Sequence, residues 1–199
     1  MTHEEFTATY RAVREVEHDR ATDLNEGSLR SILRSLVPGS VLEIGCGGGH
    51  LASLMSATHE VTACDIVVSP ELPARHPNVR FLEARFEDLP AAAASFDNVV
   101  STHTLEHVID LQAAVREMRR VCRRRLILVV PRQRPYRYTF DLHLHFFPYR
   151  HSLLLPLAPP KAFTLEEVGG DWVYTEDVET SAGVEAPSAL TLPERDELA

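Results

Sequence analysis

The chain has 199 residues, 44% of them apolar and 25% charged, with a formal net charge of −9. This length suits one domain with a real core, and the composition excludes fibrous, collagen-like and wholly disordered classes. The negative balance argues against a nucleic-acid backbone as the main partner, and the twenty basic residues are all arginine except Lys161.

Three cysteines, Cys46, Cys64 and Cys122, lie far apart and in no metal-ligand spacing. They predict reduced thiols and a cytoplasmic protein. Residues 1–20 are charged throughout, unlike a signal peptide, and no apolar run approaches the ~20 residues of a membrane span.

In chain order, Phe6, Tyr10 and Val13 fall on one helix face. Leu29, Ile32, Leu33 and Leu36 mark a second helix, ended by Pro38-Gly39. Ser40–Ile44 reads as a buried strand, Gly45–Gly49 as a turn, and His50–Ser56 as a helix turning Leu51, Leu54 and Met55 inward. Strands are predicted at Glu60–Cys64, ending in Asp65, at Val79–Leu82, at Phe96–Ser101 and at Arg125–Val130, closed by Pro131. Leu111, Ala114, Val115, Met118, Val121 and Cys122 line an amphipathic helix before the last of these. Beyond it, His143–Phe147 and Trp172–Tyr174 read as the final strands, Pro156–Pro160 as a loop, and the chain from Glu176 as an acidic tail. Such alternation predicts parallel βαβ units with right-handed crossovers.

The stretch Glu43-Ile44-Gly45-Cys46-Gly47-Gly48-Gly49 carries the chemistry. Gly45 permits a tight turn, Gly47 lets backbone approach a ligand, and Gly49 allows close helix packing. The helix start beyond it offers free N–H groups to a carboxylate or phosphate. Glu43 suits a ligand bearing a positive amino group and is a poor neighbour for a pyrophosphate. His50 stands where a dinucleotide fingerprint wants Gly or Ala. Asp65, 22 residues after Glu43, can accept hydrogen bonds from two ribose hydroxyls. These features favour an amino-acid-bearing nucleoside over a nicotinamide cofactor.

With these residues in view, the sequence resembles the class I S-adenosylmethionine-dependent methyltransferases, especially the type 11 small-molecule group. VLEIGCGGGHLASLM, CDIV, FEDLP, SFDNVVSTHTLEHV and RRVCRRRLILVVP are similar to that family's blocks in order, over about residues 38–131. The resemblance implies an α/β fold: a single Rossmann-like, doubly wound, mostly parallel sheet at 38–175, with lid helices at 1–37 and an acidic tail at 176–199. It implies S-adenosylmethionine as cofactor. Glu43, Gly45, Cys46, Gly47 and Gly49 would cradle its methionine part, Asp65 and Ile66 its ribose and adenine, and the backbone of Thr102 and His103 its methionine end. Where the family often has an adenine-accepting Asp, this chain has Arg85, which has no acceptor. Adenine contacts are therefore expected from backbone around Arg85 and Phe86, with stacking by either side chain.

Acceptor contacts belong at the carboxyl ends of the strands. His103 is a candidate general base, and His107 a packing or acceptor-contacting residue. Asp141, His143 and His145 alternate in DLHLHFF, so a strand would turn all three to one face. That face reads as a polar network, as a base or acceptor contact, or as a metal site; no metal ligand set is assigned from sequence. Arg132, Arg134 and Arg137 follow the fifth strand and could clamp an anionic acceptor group, whereas Arg116–Arg125 reads as a solvated helix face. A looser resemblance of PRQRPYRYTFDLHLHFFPYRHSLL to methyltransferases of polysaccharide and natural-product sugar pathways implies a sugar or glycosylated acceptor methylated on oxygen. The alternatives are a non-catalytic cofactor-binding subunit and a methyltransferase acting on protein or RNA. The expected partner is a small molecule, with no nucleic acid and no membrane, for a monomer or homodimer.

Overall fold

The computed structural model describes residues 2–16, 22–135 and 142–178. Seven strands form one sheet: β1 (Ser40–Ile44), β2 (Glu60–Asp65), β3 (Val79–Glu83), β4 (Phe96–Thr102), β5 (Cys122–Pro131), β6 (Phe163–Val168) and β7 (Asp171–Asp177). Their order is β3-β2-β1-β4-β5-β7-β6. β1 to β5 pair in parallel, and β7 runs antiparallel to both β5 and β6. Strand order reverses between β1 and β4, the place where doubly wound sheets open a ligand crevice at their carboxyl ends.

Alternation along the strands divides the core between two faces. Leu42, Ile44, Leu126, Leu128 and Val130 pack with Val115 and Met118 of α5 (Leu111–Val121) and Leu153 and Leu157 of α6 (Arg150–Leu157). Val41, Val100, Ile127 and Val129 pack with Ile32 of α2 (Glu26–Ser35) and Leu51 and Met55 of α3 (His50–Met55). Burying both faces explains why β5 reads as an unbroken apolar run.

Capping sets the helix ends. The Asn25 side chain accepts from Ser28 N–H to start α2, and Asp110 accepts from Ala113 N–H to start α5. Asn98, fully buried in β4, accepts from Val37 N–H and donates to the Val37 and Ser40 carbonyls. Asp97 accepts from Ser40 and pairs with Arg123, so both residues fix the entry to β1, at the end of the sheet away from the crevice.

Several expectations need correction. His143–Phe147 is no strand. The outer edge of β5 is taken by β7, and Leu144 and His145 instead donate their N–H groups to Glu106 O. Asp141, with Tyr136 and Arg137, lies outside the described residues. Pro156 sits in the last turn of α6, which closes at Ala158 with φ 43°, so the loop begins later than expected. The hairpin β6–β7 turns on Gly169 and Gly170, both at positive φ, and carries a strand that was not anticipated. Glu176 and Asp177 belong to β7 rather than to a tail. Leu54 is 41% exposed, so Leu51, Ala52 and Met55 form the buried face of α3 instead.

The arginines of 116–125 are not one solvated face. Arg119 makes a two-pronged pair with the buried Glu176 at 2.7 and 2.8 Å and donates to Leu157 O, tying α5 to β7 and α6. Arg120 pairs with Glu117 and caps the Leu89 and Ala91 carbonyls. All three cysteines are buried thiols outside any disulfide. Among the described residues, no helix is long and apolar enough to cross a membrane.

Candidate active site

A cleft opens at the carboxyl ends of β1, β2 and β4. Gly45 after β1 and Asp65 and Ile66 at the end of β2 form one side. Arg85, Phe86 and Glu87 follow β3, and His103, Thr104 and His107 follow β4. The fourth side is α1 (His3–Val16), which contributes His3, Phe6, Thr7 and Tyr10. Phe6 is 7% exposed and stacks on Tyr10 at 6.2 Å, while His3 reaches Glu87 at 3.8 Å.

The glycine turn is shaped by its neighbours. A Cβ on Gly45 would lie 2.0 Å from Thr104 Oγ1, so only glycine lets the turn and the loop after β4 meet. Thr104 and Ser101 both donate to Ile44 O, which locks the two strand ends together. A Cβ on Gly47 or Gly48 would meet nothing within 4 Å, so their backbone borders open space. Gly47 N–H donates to Asp65 Oδ2 at 2.9 Å, joining the turn to the acid at the end of β2.

Glu43 is 2% exposed, and its Oε2 is buried without a hydrogen-bond partner. Burial pushes its pKa up to about 8, with the Asp65 charge adding to the rise and the Ala52 amide opposing it. A buried, under-satisfied carboxylate beside an open glycine turn fits a ligand that brings an ammonium and a carboxylate. Glu43, Gly45, Gly47 and Asp65 thus form one connected group. Of the residues expected to cradle the methionine part, Gly45 lines the cleft, whereas Glu43, Cys46, Gly47, Gly49 and Thr102 do not.

His103 follows β4 in a left-handed conformation, φ 49°, held by its N–H on Val129 O. Its ring lines the cleft, and its buried Nε2 lies 3.2 Å from Asp171 Oδ1, an ion-pair distance without the alignment of a hydrogen bond. Asp171 is 5% exposed, and its Oδ2 accepts from Asn25 Nδ2 and Ser28 Oγ, each at 2.8 Å. Burial pulls the His103 pKa down, but Asp171, with Glu106 and Asp23 behind it, outweighs burial and leaves it above the ordinary 6.5. Sequence reading found His103 but missed Asp171, which enters from β7, 68 positions later in the chain. It also missed Asn25, whose helix-capping pattern gave no hint of a second role.

The other candidates divide. His107 lines the cleft and its Nδ1 lies 3.1 Å from Leu142 O. His143 packs on His107, with ring centroids 4.7 Å apart, and His145 Nε2 contacts Val108 O at 2.9 Å; neither lines the cleft. Arg132 pairs with Glu167 over Trp172, and Arg134 lies over Tyr149, both away from the cleft. The exposed Arg85 forms an isolated backbone β-bridge with Asp88, while Phe86 is buried and lines the cleft.

Comparison with known proteins agrees with this fold. A family model described as a methyltransferase domain matches residues 42–130, from β1 to the end of β5. A probable S-adenosylmethionine-dependent methyltransferase of Mycobacterium tuberculosis is 37% identical over 104 residues, covering 51% of this chain and 37% of that protein. An O-methyltransferase of Aspergillus nomiae is 33% identical over 93 residues, covering 42% of this chain and 41% of that protein. The chain therefore spans less than half the length of these relatives. The solved structure of a SAM-dependent methyltransferase from Thermotoga maritima shares the fold at a TM-score of 0.64, over 88% of this chain and 98% of that one, at 19% identity.

Proposed function

We propose that the protein is a class I S-adenosylmethionine-dependent methyltransferase, a reading supported by the methyltransferase-domain match over residues 42–130, and that it methylates a hydroxyl of a small-molecule acceptor with His103 as the base. The observation that carries this reading is the His103–Asp171 pair at the mouth of the cleft. The cofactor supplies a methyl group already activated on a sulfonium. The chain's own task is alignment, exclusion of water and removal of one proton.

Gly45, Gly47, Asp65 and Glu43 would hold the amino-acid and ribose parts, with Ile66 and the Arg85–Phe86 backbone beside the base. The acceptor would lie between α1 and the loop after β4. There the cofactor would supply its methyl group to the acceptor oxygen, and His103 would take the hydroxyl proton. Asp171 keeps Nε2 protonated and stabilises the imidazolium that forms, while Asn25 and Ser28 hold its other oxygen in place. A sugar or glycosylated natural product suits the mixed lining of Phe6 and Tyr10 with His3, Thr7 and Glu87. The fungal relative's name, an O-methyltransferase, supports transfer to oxygen.

The test is kinetic. His103→Gln should lower kcat by about 10²–10⁴-fold, the usual share of a general base, with S-adenosylhomocysteine affinity unchanged. Because the base must be neutral, wild-type kcat/KM should rise with pH through a value above 6.5. Asp171→Asn should move that limb to lower pH, since it removes the group that holds the imidazolium while burial remains. Turnover of His103→Gln within a few-fold of wild type, or an unmoved limb in Asp171→Asn, would sink the assignment.

A further inference from the structure

We infer that Glu106, His107 and His143 form a binding site for one divalent transition-metal ion, in the wall of the cleft. One donor atom from each residue can be chosen so that all three lie within 4.8 Å of one another. Glu106 is 1% exposed, and a carboxylate that deep is stable when it is paired or coordinated. The two rings meet edge-on, at 73°, rather than stacked.

The backbone builds this cluster from two distant segments. Leu144 and His145 N–H both donate to Glu106 O, at 2.7 and 3.0 Å. The His145 ring contacts Val108 O at 2.9 Å, and His107 Nδ1 contacts Leu142 O at 3.1 Å. A ring nitrogen facing a carbonyl must carry the proton, which leaves Nε2 with the lone pair a metal needs. This carbonyl-to-imidazole contact is the usual device for orienting a histidine ligand.

Donor type selects the ion. Two imidazoles and one carboxylate suit zinc, iron, cobalt or manganese, whereas magnesium and calcium prefer all-oxygen sets. Three protein ligands leave positions open, as catalytic sites do and structural sites do not. His107 places the cluster against the cleft, so an oxygen of a bound molecule could take an open position. The binding of the ion does not depend on methyl transfer, whereas that last step rests on the proposed function.

The full chain, stripped with a chelator, should bind one Co²⁺ per molecule by calorimetry, with visible absorption from nitrogen coordination. Glu106→Gln and His143→Gln should each weaken binding at least about 100-fold, since loss of a partner one shell further out already costs roughly 10–100-fold. His59→Ala, at the opposite end of β2, should bind as wild type does. Near-UV circular dichroism checks folding. Should Glu106→Gln fail to fold, the half-buried His143→Gln decides. Absence of stoichiometric binding, or binding equal in wild type and His143→Gln, would overturn the site. Titration of S-adenosylhomocysteine into the same samples reports on the methyltransferase reading separately.

Discussion

Glu43 is a carboxylate with almost no access to water, at the point where β1 hands over to the glycine turn. Its proton is retained in the folded state between the ordinary 4.5 and about 8, while the unfolded chain has already lost it. The folded state therefore binds more protons in that window, and its contribution to stability falls as pH rises through it. A pKa displaced by one corresponds to about 1.4 kcal/mol, and a chain of this size gains ~2–4 °C in Tm per kcal/mol. Glu43→Gln should thus raise the ligand-free Tm by at least about 3 °C at pH 9 and change little at pH 4. Equal Tm values for variant and wild type at pH 9 would contradict the buried-acid account. At this scale, local chemistry was legible: Glu43, Gly45 and Asp65 stood out because a glycine turn between a strand and a helix has few other uses. Asp171 was not legible. Nothing near Gly169-Gly170-Asp171 in the sequence indicates that β7 runs back beside β4's neighbour and delivers a carboxylate to His103.

At the scale of elements, the central strands were readable because both faces of the sheet are covered and each strand is a short apolar run between turn residues. The chain after β5 was harder. DLHLHFF alternates as a strand would, yet the sheet edge it needed belongs to β7, so its backbone pairs with Glu106 instead. β6 went unseen although Gly169-Gly170 is a hairpin signal, because FTLEEV exposes one face and carries two adjacent acids. Pro156 suggested a loop, but it sits inside α6, which runs on to Leu157 before closing at Ala158. The helix α1 has a clear amphipathic pattern, and its position decides its role. It covers the cleft with Phe6 and Tyr10 and is tethered by His3 to Glu87. Removing residues 1–18 should spoil acceptor turnover, raising KM or lowering kcat by about tenfold or more, while leaving S-adenosylhomocysteine affinity nearly unchanged. The opposite pattern, measured by calorimetry and initial rates, would remove α1 from the acceptor site.

For the whole molecule, topology does most of the positioning. The strand order places the reversal between β1 and β4, and every group of the cleft except those on α1 comes from a strand end or the loop after it. The antiparallel β7 completes the arrangement. Inserted between β5 and β6, it buries Trp172 and Tyr174 and sets Asp171 behind His103. On the proposed function, Gly45–Gly49, Glu43 and Asp65 would hold an amino-acid-bearing nucleoside. Calorimetric titration of the full chain with S-adenosylhomocysteine and, separately, with NADH distinguishes this from dinucleotide binding. One site for S-adenosylhomocysteine is expected, weakened at least about tenfold by Asp65→Ala, and no site for NADH. Tight NADH binding, or S-adenosylhomocysteine affinity untouched by Asp65→Ala, would contradict it.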